Sequence, residues 1–114
     1  MIKICLAGFG KMNHAVYEAA LQNADVKVVS ILEPTPQKIE GVEVFSEAQK
    51  AFALADVIID FSTKEACVEN MCIAASMGKN FVIGTTGINE EGLKKIKTAT
   101  ASSSVSGVLS GNFS

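Results

Sequence analysis

Residues 2–13 read Ile2-Lys3-Ile4-Cys5-Leu6-Ala7-Gly8-Phe9-Gly10-Lys11-Met12-Asn13, and the succession in that stretch decides the fold. Ile2, Ile4 and Leu6, with Cys5 and Ala7 between them, form a short apolar run suited to a buried parallel strand, and Gly8 closes it. Met12, Ala15, Val16, Ala19 and Ala20 then recur at i, i+3, i+4, i+7 and i+8, one apolar helical stripe, with Asn23 placed for a left-handed stop. A strand, a Gly-x-Gly turn and a helix in immediate succession open a dinucleotide-binding unit. Gly8 permits the tight turn, Gly10 lets backbone approach a diphosphate with no Cβ in the way, and the free N–H groups of the helix start donate to phosphate oxygens. The helix dipole adds about 0.3–2 kcal/mol to such an interaction. Asn13 stands where the usual motif has its third glycine, so the helix is expected to pack differently on the strand.

Downstream, the same alternation continues. Val26 to Leu32 is a second strand, ended by Glu33 and by Pro34 and Pro36, which cannot donate into a ladder. Glu33 thus stands at a strand's carboxyl end, where a carboxylate accepts bonds from the adenosine ribose hydroxyls of a dinucleotide. Val42 to Phe45 reads as a short strand, and Ser46 with Gln49 as a capping box opening a helix through about Leu54. Val57 to Phe61 is a β-branched strand, Ser62 and Glu65 form a second capping box, and the helix they open runs to Gly78. Phe81 to Ile83 is a buried strand, Gly84-Thr85-Thr86-Gly87 a loop, and Asn89 the cap of a helix with Glu90 and Glu91 early and Lys94, Lys95 and Lys97 late, as the macrodipole favours. Val105 to Leu109 closes the pattern. Strands alternating with short helices predict an α/β fold: a Rossmann-type, doubly wound parallel sheet in a single domain, residues 1–114.

Composition narrows the partners. The chain has 114 residues, is 48% hydrophobic and 19% charged, and carries a net charge of −2. It is too apolar for disorder and sized for one core. Its ten basic residues are all lysine, which argues against a nucleic-acid footprint and leaves no guanidinium fork for a phosphate. Cys5, Cys67 and Cys72 make neither a CxxC pair nor an even disulfide set, which points to a reducing, cytoplasmic setting. No apolar stretch approaches the roughly 18 residues of a membrane helix, and Met1 leads directly into a strand with no basic leader, so neither membrane nor secretion is expected.

The later loops make the reading specific. Asp60-Phe61-Ser62, Ile83-Gly84-Thr85-Thr86-Gly87 and Gly111-Asn112-Phe113-Ser114 all fall at strand ends, on the sheet edge where ligands bind. With Gly8-Phe9-Gly10-Lys11-Met12-Asn13 they closely resemble the N-terminal part of the 4-hydroxy-tetrahydrodipicolinate reductase (dihydrodipicolinate reductase) family, over the whole chain. The resemblance implies an oxidoreductase of the diaminopimelate route to lysine, transferring hydride from NADH or NADPH to a cyclic dicarboxylate. It implies that Gly8, Phe9, Gly10, Lys11 and Met12 wrap the diphosphate and Glu33 holds the adenosine ribose. Phe61 would line the cleft, Gly84, Thr85 and Thr86 lie under the nicotinamide, and Ser110, Gly111, Asn112 and Phe113 form the opposite wall. Lys11 stands where family members often carry an arginine that favours the 2′-phosphate, so comparable use of both cofactors or a lean to NADH is expected. The family continues into a second domain with a His-His-x-x-Lys motif and a tetramer-forming sheet. The 114 residues are therefore expected to be a cofactor-binding half that turns nothing over alone, from a parent homotetramer.

The remaining chemistry-bearing residues have plain explanations. His14, the one histidine, reads as a partly exposed surface residue, and no catalytic or metal-binding residue is assigned. Asp60 reads as a cap for the following helix; Cys67 and Cys72, five apart, fall on different helical faces and read as packing. The lysines at 94, 95 and 97 read as a solvated helix face. Thr85 and Thr86, flanked by glycines at the ligand edge, read as functional. Two other classes share parts of the pattern: a non-catalytic nicotinamide-binding or redox-sensing module, and a methyltransferase using S-adenosylmethionine, which wants a third glycine where Met12 stands.

Overall fold

The computed structural model describes residues 1–35, 38–39, 41–85, 87–101 and 107–109. The apolar runs become strands and the periodic segments helices, in the order β1 (Ile2–Ala7), α1 (Lys11–Leu21), β2 (Val26–Leu32), β3 (Glu43–Phe45), α2 (Ala48–Ala53), β4 (Val57–Asp60), α3 (Lys64–Ser76), β5 (Asn80–Ile83), α4 (Glu90–Ala101) and β6 (Gly107–Leu109). The strands form one sheet in the order β3-β2-β1-β4-β5-β6, every neighbouring pair parallel. From β1 the chain steps outward one way to β3, then returns across the sheet to β4 and steps outward the other way. That reversal opens a crevice at the carboxyl ends of β1 and β4, where ligands bind in such sheets. Register puts Ala7 beside Leu32 on one side and Asp60 on the other, and Asp60 beside Ile83, so four strands end level around the crevice.

Two apolar layers hold the sheet. Cys5, Ala7, Ile58, Phe81 and Ile83 pack under α2, α3 and α4, through Phe52, Met71, Ala74 and Ile96 among others. Ile4, Leu6, Val28 and Ile31 face the other way, against Val16, Tyr17 and Ala20 of α1. The sequence stripe through Met12, Ala15 and Ala19 is displaced by one position: those three are exposed, and Asn13, Val16, Tyr17 and Ala20 turn inward. Asn13 causes the rotation. It is fully buried, and its Nδ2 donates to Ala7 O at 3.1 Å and Gly8 O at 2.6 Å, pinning the helix start to the end of β1.

Three expected caps differ. Asn23 is not left-handed, since the positive-φ residues are Gly8, Gly41, Gly78 and Gly87; its Oδ1 accepts from Asp25 N and shapes the turn into β2. Ser46 does not cap α2, because the chain remains extended at Glu47 and the helix starts beyond a serine's reach. Ser62 does not cap α3: its hydroxyl donates to Asp60 Oδ1 at 2.6 Å, and Thr63 takes over, accepting from Ala66 N at 3.2 Å. Gly78 and Asn89 do what their residue types indicate, Gly78 with φ +72° and Asn89 accepting from Gly92 N at 2.8 Å. Strand β4 ends at Asp60, one residue earlier than expected; of the predicted strand 105–109, Val105 and Ser106 lie outside the described residues.

Candidate functional site

The glycine turn is built as its sequence dictates, and its two glycines serve different ends. Gly8 has φ +85°, and a Cβ there would lie 3.2 Å from Ser62 Cα and 3.3 Å from Phe61 O. Both the conformation and the approach of the β4–α3 loop demand glycine at that position. Gly10 has negative φ and is the N-cap of α1, with no side chain capping the helix. A Cβ on Gly10 would meet no atom of the described residues within 4 Å. The fold therefore makes no demand for glycine at position 10; what the missing side chain leaves is space in front of an uncapped helix start, a ready anion site.

Phe9, between them, turns back onto α1, its ring stacked on His14 (centroids 3.8 Å apart) and edge-on to Tyr17 (5.9 Å). Its backbone N–H donates to Glu33 Oε2 at 2.7 Å. The carboxylate at the end of β2 thus reaches over to the phosphate turn and lies in the same cleft. His14 is exposed, as expected, and its Nδ1 lies 3.1 Å from Gly10 O.

These residues line a cleft of about 720 Å³. Gly8, Phe9, Gly10, Leu32, Glu33 and Pro34 form one side, Ser46, Glu47, Ala48 and Gln49 at the start of α2 a second, and residues from Phe61 to Ile73 a third. The size suits a small-molecule cofactor. Its charged lining residues are Glu33, Glu47 and Glu69, with no lysine among the described residues that line it.

Behind Phe61 the sheet edge is knitted shut. Asp60 is fully buried; its Oδ1 accepts from Ser62 N (2.9 Å), Ser62 Oγ (2.6 Å) and Thr85 Oγ1 (2.9 Å), and its Oδ2 from Asn70 Nδ2 (3.2 Å). Gly84 N donates to Asp60 O at 2.8 Å. A Cβ on Gly84 would fall 2.1 Å from Phe61 Cε1, so glycine there makes room for the Phe61 ring. Asp60 is therefore no ordinary helix cap but the acceptor that joins the β4–α3 and β5–α4 loops.

Of the expected site residues, the structure gathers Gly8, Phe9, Gly10, Glu33 and Phe61 around the cleft, with Gly84 and Thr85 buried behind Phe61. Lys11 and Met12 are exposed on the first turn of α1 and do not line the cleft. Thr86, Ser110, Gly111, Asn112 and Phe113 lie outside the described residues. Sequence reading missed the α2 start, Glu69 and Asn70, because only the β3–β2 pairing and the α3 face bring them to this edge. It also missed Asn13 as a buried donor, for which the occupied third-glycine position was the available signal. Burial, with the nearby negative charge of Asp60 adding to it, pushes the Cys5 and Cys67 thiols up to about 12, so both are neutral packing groups. Among the described residues no cluster of histidine, cysteine and carboxylates is suited to a metal, and no helix is long and apolar enough to cross a membrane.

Comparison with known proteins agrees with this geometry. Residues 2–113 match the family model described as dihydrodipicolinate reductase, N-terminus. The chain is 36% identical to 4-hydroxy-tetrahydrodipicolinate reductase of Methanocaldococcus jannaschii over 131 aligned residues, covering 99% of this chain and 48% of that protein. It is 34% identical to the Streptococcus sanguinis reductase over 116, covering 98% and 46%. The chain thus spans about half the length of the curated relatives it matches. Among solved structures, dipicolinate-bound dihydrodipicolinate reductase from Paenisporosarcina sp. TG-14 superposes with a TM-score of 0.86 at 22% identity, over 99% of this chain and 48% of that one. The WlbA dehydrogenase from Chromobacterium violaceum, in complex with NADH and UDP-GlcNAcA, gives 0.83 at 13%, over 96% and 34%. At these identities the superpositions establish the shared fold.

Proposed function

The chain belongs to the dihydrodipicolinate reductase N-terminal family, and on that premise we propose that it is the NAD(P)H-binding half of a 4-hydroxy-tetrahydrodipicolinate reductase. The observation that carries this reading is the space at Gly10: an uncapped helix start faces a void that none of the described residues fills, beside a strand-end carboxylate, in the crevice at the sheet's reversal. The N–H groups of the α1 start hold the diphosphate, and Gly10 admits it without a steric penalty. Glu33 accepts from the adenosine ribose, turning from the Phe9 amide or sharing it. Phe61, set by Gly84, walls the cleft toward the redox end, where Thr85 and Thr86 and the segment Ser110 to Phe113 complete the site. When bound, the dinucleotide supplies the hydride. The chain's own part is orientation; the proton donor and most of the contacts to a cyclic dicarboxylate substrate belong to a second domain of the parent enzyme, a cytoplasmic homotetramer of the diaminopimelate route. The 114 residues bind cofactor and do not turn over alone.

The lining of the cleft selects between cofactors. A carboxylate about 4 Å from a 2′-phosphate costs roughly 4 kcal/mol per unit charge at an effective dielectric near 20. Glu33, Glu47 and Glu69 all line the cleft, while Lys11 and Lys38 are exposed outside its lining, so the charge at the adenosine end favours NADH. Fluorescence titration of the chain with NADH, NADPH and S-adenosylmethionine tests both points. NADH binds more tightly than NADPH, and S-adenosylmethionine does not compete. Saturation by S-adenosylmethionine alone overturns the nicotinamide reading, and NADPH bound more tightly than NADH overturns the preference.

A further inference from the structure

A dinucleotide whose diphosphate sits at Gly10 and whose adenosine reaches Glu33 at the end of β2 has one direction left for its redox half. It must cross the carboxyl ends of β4 and β5, where Asp60 is buried. We propose that Asp60 is a positioning residue for the redox half of the cofactor: it ties the β5–α4 loop to the β4–α3 loop and so fixes the wall against which the nicotinamide end lies. This rests on the cofactor reading above and extends it to a residue that touches no ligand.

The connectivity is specific. Four side-chain and backbone donors, from Ser62, Thr85 and Asn70, converge on the two carboxylate oxygens, and no basic side chain among the described residues contributes. The two arms of the network end in opposite halves of the crevice. Through Ser62 the carboxylate sets the loop that abuts Gly8, since a Cβ at Gly8 would touch Ser62 Cα at 3.2 Å. Through Thr85 it sets the glycine-flanked loop after β5, whose Thr85 Oγ1 also lies 3.3 Å from Ser62 O and 3.3 Å from Asp60 O. The Thr85 hydroxyl is turned inward to these acceptors and the residue is 7% exposed, so its polar atom serves the protein and not the ligand. The Gly8 side of the crevice has independent support. Gly8 N donates to Leu32 O at 2.8 Å, Phe61 N donates to Ala7 O at 3.1 Å, and Asn13 Nδ2 donates to Ala7 O and Gly8 O. The β5–α4 loop, by contrast, has its shortest bonds to the rest of the edge at Asp60, by its carboxylate to Thr85 at 2.9 Å and by its carbonyl to Gly84 at 2.8 Å, with a longer contact from Thr85 Oγ1 to Ser62 O. Loss of the carboxylate therefore loosens the redox side of the crevice, leaving it the Gly84 backbone bond and the longer Thr85–Ser62 contact, and keeps the adenosine side in place.

ADP-ribose carries every part of NADH except the nicotinamide, and the affinity of the chain for each ligand separates the two sides. In Asp60→Ala, NADH affinity falls by roughly tenfold or more, the scale set by hydrogen bonds to a charged group, and ADP-ribose affinity stays within about threefold. Thr85→Val, which keeps the branched shape and removes the hydroxyl whose shortest bond is to the Asp60 carboxylate, shows the same split to a smaller degree and decides the matter where Asp60→Ala does not fold. Equal losses for both ligands, or unchanged NADH affinity in a folded variant, overturn the proposal and leave Asp60 a stability residue. Failure of the unaltered chain to bind either ligand overturns the cofactor reading itself, and this inference with it.

Discussion

The two halves of the ligand edge are built by opposite means. Around Gly10 the chain leaves room: an extended N-cap, an uncapped helix start and, among the described residues, no atom where a Cβ would project. Around Asp60 it fills room, with a buried carboxylate in a web of donors and the Phe61 ring lying where a side chain on Gly84 would be. Position 10 and position 84 carry the same residue for unrelated reasons, one an absence kept for something that is not protein and the other an absence already used by protein. Glycine at a ligand edge therefore says nothing about a ligand until the space beside it is known to be empty.

The widest separation between the halves is expected from Gly10→Val. Its branched side chain enters open space, so thermal unfolding shifts by no more than about 1 kcal/mol, the scale of a changed N-cap residue. The diphosphate loses its place, and NADH affinity falls at least about a hundredfold, roughly 2.8 kcal/mol at 1.4 kcal/mol per decade. Titration together with a melting curve on the same variant reads both numbers. A large loss of stability would mean that position 10 is a folding glycine after all.

Gly84→Ala reverses the pattern. Its methyl group would lie 2.1 Å from a ring carbon of Phe61, so the ring must swing toward the cleft or the β5 end must shift. Overpacking of this kind costs about 1–3 kcal/mol. Chemical denaturation of the parent and the variant measures it, and an unchanged midpoint would show that the Phe61 ring moves aside freely.

Much of the fold is readable in the amino-acid sequence, for a physical reason. Buried parallel strands are near-continuous apolar runs and the helices between them are periodic, so the βαβ alternation, and with it the crevice at the carboxyl ends, follows from short windows of sequence. Gly8, Gly10 and Glu33 were readable because each owes its role to one strand end. What was not readable depended on partners distant in the chain. Ser62 fits a capping box in its own window, and only the proximity of Asp60 shows that its hydroxyl is taken; Met12, Ala15 and Ala19 fit a helical stripe, and only the bonds from Asn13 to Ala7 and Gly8 show that the helix is rotated away from them. The lining from Glu47 and Glu69 needed the tertiary fold, because nothing local places those helices beside β1.

Asn13→Gly tests the join between the two halves. Glycine is the usual residue at this place in the motif, yet here it would strip donors from the Ala7 and Gly8 carbonyls at the end of β1. The lost bonds, with a glycine placed inside the first turn of α1, are expected to cost about 1–3 kcal/mol by denaturation. The offset is that Asn13 Oδ1 is buried without a protein partner among the described residues, so its removal returns part of the cost. A neutral or stabilising outcome would show that this unpaired oxygen outweighs the bonds its own amide makes.

The smallest effect is confined to alkaline solution and reports on the filled half alone. Cys5 and Cys67 lie beneath Asp60, and burial first, then the Asp60 charge, pushes both thiols from 9.0 up to about 12. An unfolded chain loses these protons near pH 9 while the folded chain keeps them to about pH 12. The folded state therefore binds more protons throughout that window, and stability falls as pH rises through it. Below pH 9 the contribution is complete and flat, so nothing is seen at neutral pH. Denaturant midpoints measured from pH 7 to 11 should decline more steeply above pH 9 in the parent than in Cys5→Ala or Cys67→Ala. Asp60→Ala, where folded, removes the neighbouring charge and moves the folded thiols down toward their ordinary value, which flattens the decline. An identical slope with and without the carboxylate would mean that burial alone holds the thiols neutral, and that the charge beneath the redox side of the crevice is screened from its nearest buried neighbours.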